Sequence, residues 1–260
     1  MRKIGPFKAG LLFSSFLITG LLICAIGALF MVPTFEDVMA NVWNEEMRLS
    51  LKLSLVTGFI STFLVMAFAL PIGFTLSRLD FWGKGIVKTI LDLPVAFPEL
   101  VLGLCLLLLF GKTPIGKALS AIGLDFVFTQ KGVVAAQFFT ALPYSVRIMK
   151  STFDYINPRM EFVSRSLGYT QFETFIRVSL PLAGNGILAS TVIAFARCIG
   201  TFGTVLILAG GSYMRTETLP ITLYLNISYG NMGMALTSGI MLVAVSFIAI
   251  FIFEKTEAKL

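Results

Sequence analysis

Long uncharged runs alternate along this chain with short segments that hold most of its charge. Leu11 to Val32 is 22 residues without a charge, and Lys52 and Arg78 bracket 25 more. A membrane-crossing helix needs about 20 predominantly apolar residues. Six such segments are read here, at about 11–32, 53–77, 88–110, 132–149, 186–208 and 234–253. The third carries Asp92, Pro94, Pro98 and Glu99, and the fifth is interrupted by Arg197. The fourth is the weakest, with 15 residues between Lys131 and Arg147. The first segment is too long for a signal-peptide core and lacks a small-x-small cleavage signal, so it is expected to be retained. No tandem repeat, linker or low-complexity stretch divides the chain. Residues 1–260 are therefore expected to form one all-α transmembrane domain.

Composition agrees. Apolar residues make up 57% and charged residues 13%, against about 45–50% and about 25% in a soluble domain. The net charge of +6 suits basic residues flanking membrane spans better than nucleic acid. Thirteen Lys and Arg fall on the two termini and the second and fourth connections: Arg2, Lys3, Lys8; Arg78, Lys84, Lys88; Arg147, Lys150, Arg159, Arg165, Arg177; Lys255, Lys259. The alternate connections hold six, and the first of them is also acidic. The positive-inside rule then places both termini in the cytoplasm. There is no histidine, which excludes His triads, His proton relays and most catalytic zinc sites. Cys24, Cys105 and Cys198 lie in apolar runs without CxxC spacing and read as inert buried residues.

Gly111-Lys-Thr-Pro-Ile-Gly116-Lys117-Ala118 nearly spells a phosphate-binding loop. Ala118 stands where a hydroxyl must reach magnesium, and an apolar helix precedes it instead of a strand. The chain is expected to hydrolyse nothing itself.

The fourth connection, about 157–181, reads as two short helices. Asn157 is placed to N-cap, with Pro158 at the first helical position. Met160, Val163 and Leu167 share one face by spacing, and Gly168 suits a left-handed stop. Thr170-Gln-Phe-Glu173 forms a capping box. Phe172, Phe175 and Ile176 make the next apolar stripe, and Leu180-Pro181 is expected to end it. On the residues alone, this is either a hairpin lying on the membrane or a rigid knob for a cytoplasmic partner.

Glu161-Phe-Val-Ser-Arg-Ser-Leu-Gly168, nine residues, then Val178-Ser-Leu180-Pro181 resembles the coupling loop of ABC-importer permeases. Val163 and Ser164 stand where that family has two alanines, and Glu161 sits one place early. The resemblance implies a type I importer permease fold in the plasma membrane, with Glu161, Arg165, Leu167, Gly168, Leu180 and Pro181 coupling to an ATPase. The implied partners are a second copy of the chain, two ABC ATPase subunits that hold ATP and magnesium, and an extracytoplasmic binding protein. This chain itself is expected to bind no cofactor.

Asp92-Leu-Pro-Val-Ala-Phe-Pro98 with Val101-Leu-Gly103, Phe195-Ala-Arg197-Cys-Ile-Gly200-Thr-Phe-Gly203-Thr, and Thr218-Leu-Pro220-Ile-Thr-Leu-Tyr224 resemble the molybdate, tungstate and sulfate group. The resemblance favours molybdate or tungstate as cargo. That group usually has Gly-Glu-Phe-Gly in the fifth helix, where this chain has Gly200-Thr201-Phe202-Gly203. Glu99 is an unexpected acid in the third. At 1.5 Å per residue, Glu99 and Arg197 both lie roughly 16 Å into their helices. The expectation is that Glu99 replaces the missing acid as partner of Arg197, either as a structural ion pair or lining the path. Thr201, Thr204 and Ser190 are candidate oxyanion donors. A polyamine permease is the nearest alternative, because Pro98-Glu99-Leu-Val-Leu-Gly103 also resembles that group. A membrane enzyme or an ion-coupled carrier is the alternative of another class.

Overall fold

The computed structural model describes residues 6–257, so Arg2, Lys3 and Lys259 of the orientation argument lie outside it. The architecture is all-helical. Helices α1 (Pro6–Met31) and α2 (Phe35–Val42) lead into α3 (Glu45–Arg78). Then come α4 (Lys84–Ala96), α5 (Glu99–Lys112), α6 (Pro114–Ala121) and α7 (Gln130–Tyr155). Next are α8 (Pro158–Ser166) and α9 (Gln171–Thr174), which continues through a π-turn (Phe175–Ser179) into α10 (Leu180–Leu182). The last four are α11 (Gly184–Gly200), α12 (Gly203–Ala209), α13 (Leu219–Ser228) and α14 (Met232–Glu257).

The centre is the α3–α7 pair, with α11 packed on both. Lipid gives no hydrophobic drive for helices to associate, so close backbone approach and buried hydrogen bonds must supply it. The buried face of α3 is accordingly small: Ser50, Ser54, Thr57, Gly58, Ser61, Thr62, Ala69 and Gly73 recur at helical spacing. A Cβ on Gly73 would stand 2.6 Å from Cβ of Met149, so only hydrogen fits between the two helices there. Gln137 of α7 is 1% exposed. Its Oε1 accepts from Ser61 Oγ at 2.8 Å, and its Nε2 donates to Thr57 Oγ1 at 3.2 Å.

Two expected spans are not straight. The segment read as 88–110 turns through 117° between α4 and α5. Pro98 disfavours helical backbone at the residue before it, and Phe97 is extended (φ −84°, ψ 144°). The segment read as 186–208 breaks at Thr201–Phe202, separating α11 from α12. Among the described residues, Phe7–Met31, Glu45–Arg78 and Met232–Ile252 are each long and apolar enough to cross a membrane. Two bent pairs, α4 with α5 and α9–α10 with α11, reach that mark when each is taken together. The 26-residue α7 does not reach it, and half of its residues are buried by protein. Cys24 and Cys105 face outward, against expectation, and Cys198 is buried. The near-P-loop at Gly111–Ala118 joins α5 to α6, two helices.

Gly73→Ala is expected to push α3 from α7 and cost about 1–3 kcal/mol, as overpacking does. The check is a lower unfolding temperature for the purified variant in detergent, with Gly85→Ala, which meets open space, as control.

Candidate coupling hairpin and translocation cavity

The hairpin forms where local chemistry places it. Asn157 Oδ1 accepts from the Arg159 N–H at 3.0 Å, and Pro158 begins α8. Gly168 adopts φ +96°, and its N–H bonds the Arg165 carbonyl. Thr170 and Glu173 cap each other as a box. The Thr170 N–H, then its hydroxyl, hold the Glu173 carboxyl below the usual carboxylate range. Arg177 lies over the Tyr169 ring at 5.4 Å and closes the tip.

Leu180-Pro181 does not end the second helix. The Leu180 N–H reaches back to the Phe175 carbonyl, widening the turn so that the chain passes through Pro181 into α10. The break comes at Ala183, where the direction changes by 73°. A proline inside a helix removes one i→i−4 bond, and a π-turn accommodates that change locally.

Met160, Val163 and Leu167 share a face, and that face is open: Leu167 is 75% exposed. Phe162 and Phe172 add to the same apolar exterior. Phe175 instead turns inward onto Phe74 of α3, with ring centroids 4.8 Å apart. Arg165 lies exposed in the last turn of α8.

Glu161 points the other way, into the protein. Its Oε1 accepts from Arg78 Nε at 2.9 Å and Ser179 Oγ at 3.1 Å. Arg78 also donates to the Ile156 carbonyl at 2.8 Å. The side chains of this pair are 11% and 15% exposed. Sequence reading counted Arg78 only as a loop charge. Nothing local could link it to an acid 83 positions away. The pair fastens the hairpin to the end of α3.

A second site lies between the start of α5 and the last turns of α11. A cavity of about 350 Å³ is lined by Glu99, Val192, Ile193, Ala196, Arg197, Gly200 and Ile250. The two charges expected to pair do share this cavity, but they form no ion pair. Glu99 is the first residue of α5, after the break at Pro98, so counting depth along a straight helix misplaced it. Its Oε2 accepts from the N–H groups of Phe202 and Gly203 at 3.2 and 2.8 Å. The start of α12, with its partial positive charge, thus takes the place of the expected cation. Arg197 rests over the Tyr144 ring at 4.2 Å. Among the described residues no acid pairs with it.

Thr201 and Thr204 are buried beside the cavity and do not line it. Thr201 Oγ1 donates to the Arg197 carbonyl at 2.7 Å, and Thr204 Oγ1 to the Glu99 carbonyl at 3.1 Å. Ser190 is buried with its hydroxyl unpartnered. Asp92 accepts from Arg147 Nε at 2.6 Å and ties α4 to α7.

The sequence profile of binding-protein-dependent transport system inner membrane components matches residues 69–260. The chain belongs to this family. A probable molybdenum ABC transporter permease protein of Haloferax volcanii is 36% identical over 209 residues, covering 80% of this chain and 74% of that one. The molybdate/tungstate transport system permease protein of Pyrococcus furiosus is 32% identical over 206 residues, covering 79% and 76%. A sulfate transport system permease protein of Synechococcus elongatus is 27% identical over 250 residues, covering 94% and 87%. In fold, the chain matches a bacterial alginate ABC transporter chain with TM-score 0.77 at 17% identity, covering 97% and 96%. It matches a chain of the MetNI methionine ABC transporter with TM-score 0.64, also at 17%, covering 86% and 96%. The protein is thus a multi-pass inner-membrane ABC importer permease with the type I permease fold.

Glu161→Gln is expected to leave the part-buried Arg78 guanidinium without its countercharge and cost about 1–3 kcal/mol, the range for weakening a charge-assisted hydrogen bond. Arg78→Met in the Glu161→Gln background should recover part of that loss. Unfolding temperatures of the two variants and the parent check both statements.

Proposed function

We propose that this permease moves a tetrahedral oxyanion, molybdate or tungstate ahead of sulfate, as a homodimer driven by two separate ABC ATPases. Both termini and the hairpin face the cytoplasm in this reading, on the strength of the charge asymmetry. The exposed Met160, Phe162, Val163, Leu167 and Phe172 seat in the ATPase cleft, and closure of the ATPases on ATP and magnesium swings the two copies between inward-open and outward-open. Glu161 transmits that motion from inside the hairpin, through Arg78, to α3. Gly168 and Pro181 set the shape of the knob, with Arg165 and Leu180 flanking it. An extracytoplasmic binding protein delivers the anion at the opposite face.

The observation that carries the cargo reading is the unequal pairing of the two cavity charges. Glu99 is already compensated by two backbone N–H groups. Arg197 has an aromatic face and no acid. The cavity therefore offers a passing anion one guanidinium without an acid partner, and no row of fixed cations that would trap it. A polyamine would need Glu99 as a free ligand. The names of the relatives support the same cargo class.

The test is ATPase activity of the reconstituted complex with its cognate binding protein, titrated with molybdate, tungstate, sulfate and spermidine. Stimulation by a tetrahedral oxyanion is expected, and Arg197→Ala should lower oxyanion uptake more than tenfold. Stimulation by spermidine alone would overturn the cargo assignment.

A further inference from the structure

Between Ala141 and Met149, α7 buries every residue except Tyr144, Arg147 and Ile148. Tyr144 and Arg147 stand at i and i+3, so they share a face of the helix. The Tyr144 ring carries Arg197 of the cavity at 4.2 Å. Arg147 lies about 4.5 Å further along the axis, on the side from which α7 runs into the hairpin. An ionisable side chain within a span is costly in lipid and turns to the bundle interior or a wet cavity. This strip therefore extends the Arg197 cavity toward the hairpin end of the molecule.

Arg147 is only partly engaged. Its Nε donates to Asp92 Oδ1 at 2.6 Å. Among the described residues no other hydrogen bond reaches the guanidinium, so its terminal nitrogens remain free donors. The two side chains are 53% and 27% exposed, and an exposed ion pair is weak. A tetrahedral dianion carries more charge and more acceptor oxygens than a carboxylate, and a guanidinium fork grips it with two parallel bonds. Such an anion takes the open edge of the fork and repels Asp92.

Asp92 belongs to a lightly held helix. Helix α4 buries no residue and packs chiefly on α7. Gly83 precedes it at φ +83°, and the extended Phe97 before Pro98 follows it, so the helical path is interrupted at both ends. Among the described residues, Asp92–Arg147 is the only ion pair that fastens α4 to another helix. Residues 79–83 alone separate α4 from Arg78, which holds Glu161 of the hairpin.

We propose, resting on the oxyanion cargo above, that Arg147 is a second anion site one turn beyond Arg197, and that the anion takes it by displacing Asp92 and so releases α4. The cargo then passes from one guanidinium to the next along Tyr144. Its arrival frees a helix whose near end adjoins the anchor of the coupling hairpin.

The test uses the permease–ATPase complex with its cognate binding protein in proteoliposomes, and reads both uptake of labelled molybdate or tungstate and the ATPase rate. Arg147→Gln is expected to lower maximal uptake at least tenfold. Arg147→Lys keeps the charge and a partner for Asp92 but loses the fork, and should lower uptake at least threefold. Asp92→Asn leaves the fork and removes its guard. With α4 unlatched, its ATPase rate without cargo should rise at least threefold. A merely structural pair would let Arg147→Lys match the parent and would leave the cargo-free ATPase rate of Asp92→Asn unmoved. Either result, in a folded variant, overturns the proposal, and both remain readable if Arg147→Gln fails to fold. The cargo assignment fails differently. A parent complex stimulated by spermidine alone removes cargo and site together, whereas a parent that responds to an oxyanion beside an indifferent Arg147→Lys removes the site alone.

Discussion

A backbone N–H or C=O without a partner costs several kcal/mol in hydrocarbon, so irregular backbone at membrane depth survives only inside protein or beside a wet cavity. This chain interrupts its helices at Phe97–Pro98 and again at Thr201–Phe202, and it joins the two interruptions. The carboxylate that follows the first break accepts the N–H groups exposed by the second, and the Thr204 hydroxyl returns a bond to the Glu99 carbonyl. Neither break is self-sufficient. The placement of Arg197, in the last turn of α11 before the second break, depends on this mutual satisfaction.

The hairpin obeys the same rule at the other end of the molecule. Its apolar side faces out, and the half-buried Glu161 faces in. Arg78 gathers Glu161, Ser77 and the Ile156 carbonyl into one cluster, and Phe175 wedges against Phe74 and Phe153. A long helix and a short hairpin are thereby one mechanical piece, with the exposed apolar surface carried on the rigid side of the joint.

How much of this was legible follows from the range of each interaction. Asn157, Pro158, Gly168 and the Thr170–Glu173 box act within four residues, and each sits where its type and spacing place it. The bend after Phe97 was legible in principle, because a proline restricts its predecessor, but the run of apolar residues read more strongly as one span. The break at Thr201–Phe202 has no proline and no local signature. Glu99 was correctly singled out as an odd charge, and its partner was wrong because a helix start can stand in for a cation. Arg78–Glu161 and Asp92–Arg147 are contacts across 83 and 55 positions, invisible to any window along the chain.

The Gln137 amide, held between Thr57 and Ser61, constrains events before the fold exists. Helix α7 falls short of the apolarity that carries α3 across a membrane unaided, and its amide has no acceptable neighbour among lipid tails. During synthesis, α3 emerges first and offers the hydroxyls that make α7 tolerable. An earlier helix of the chain thus supplies the hydroxyls that a later, more polar one needs inside a bilayer.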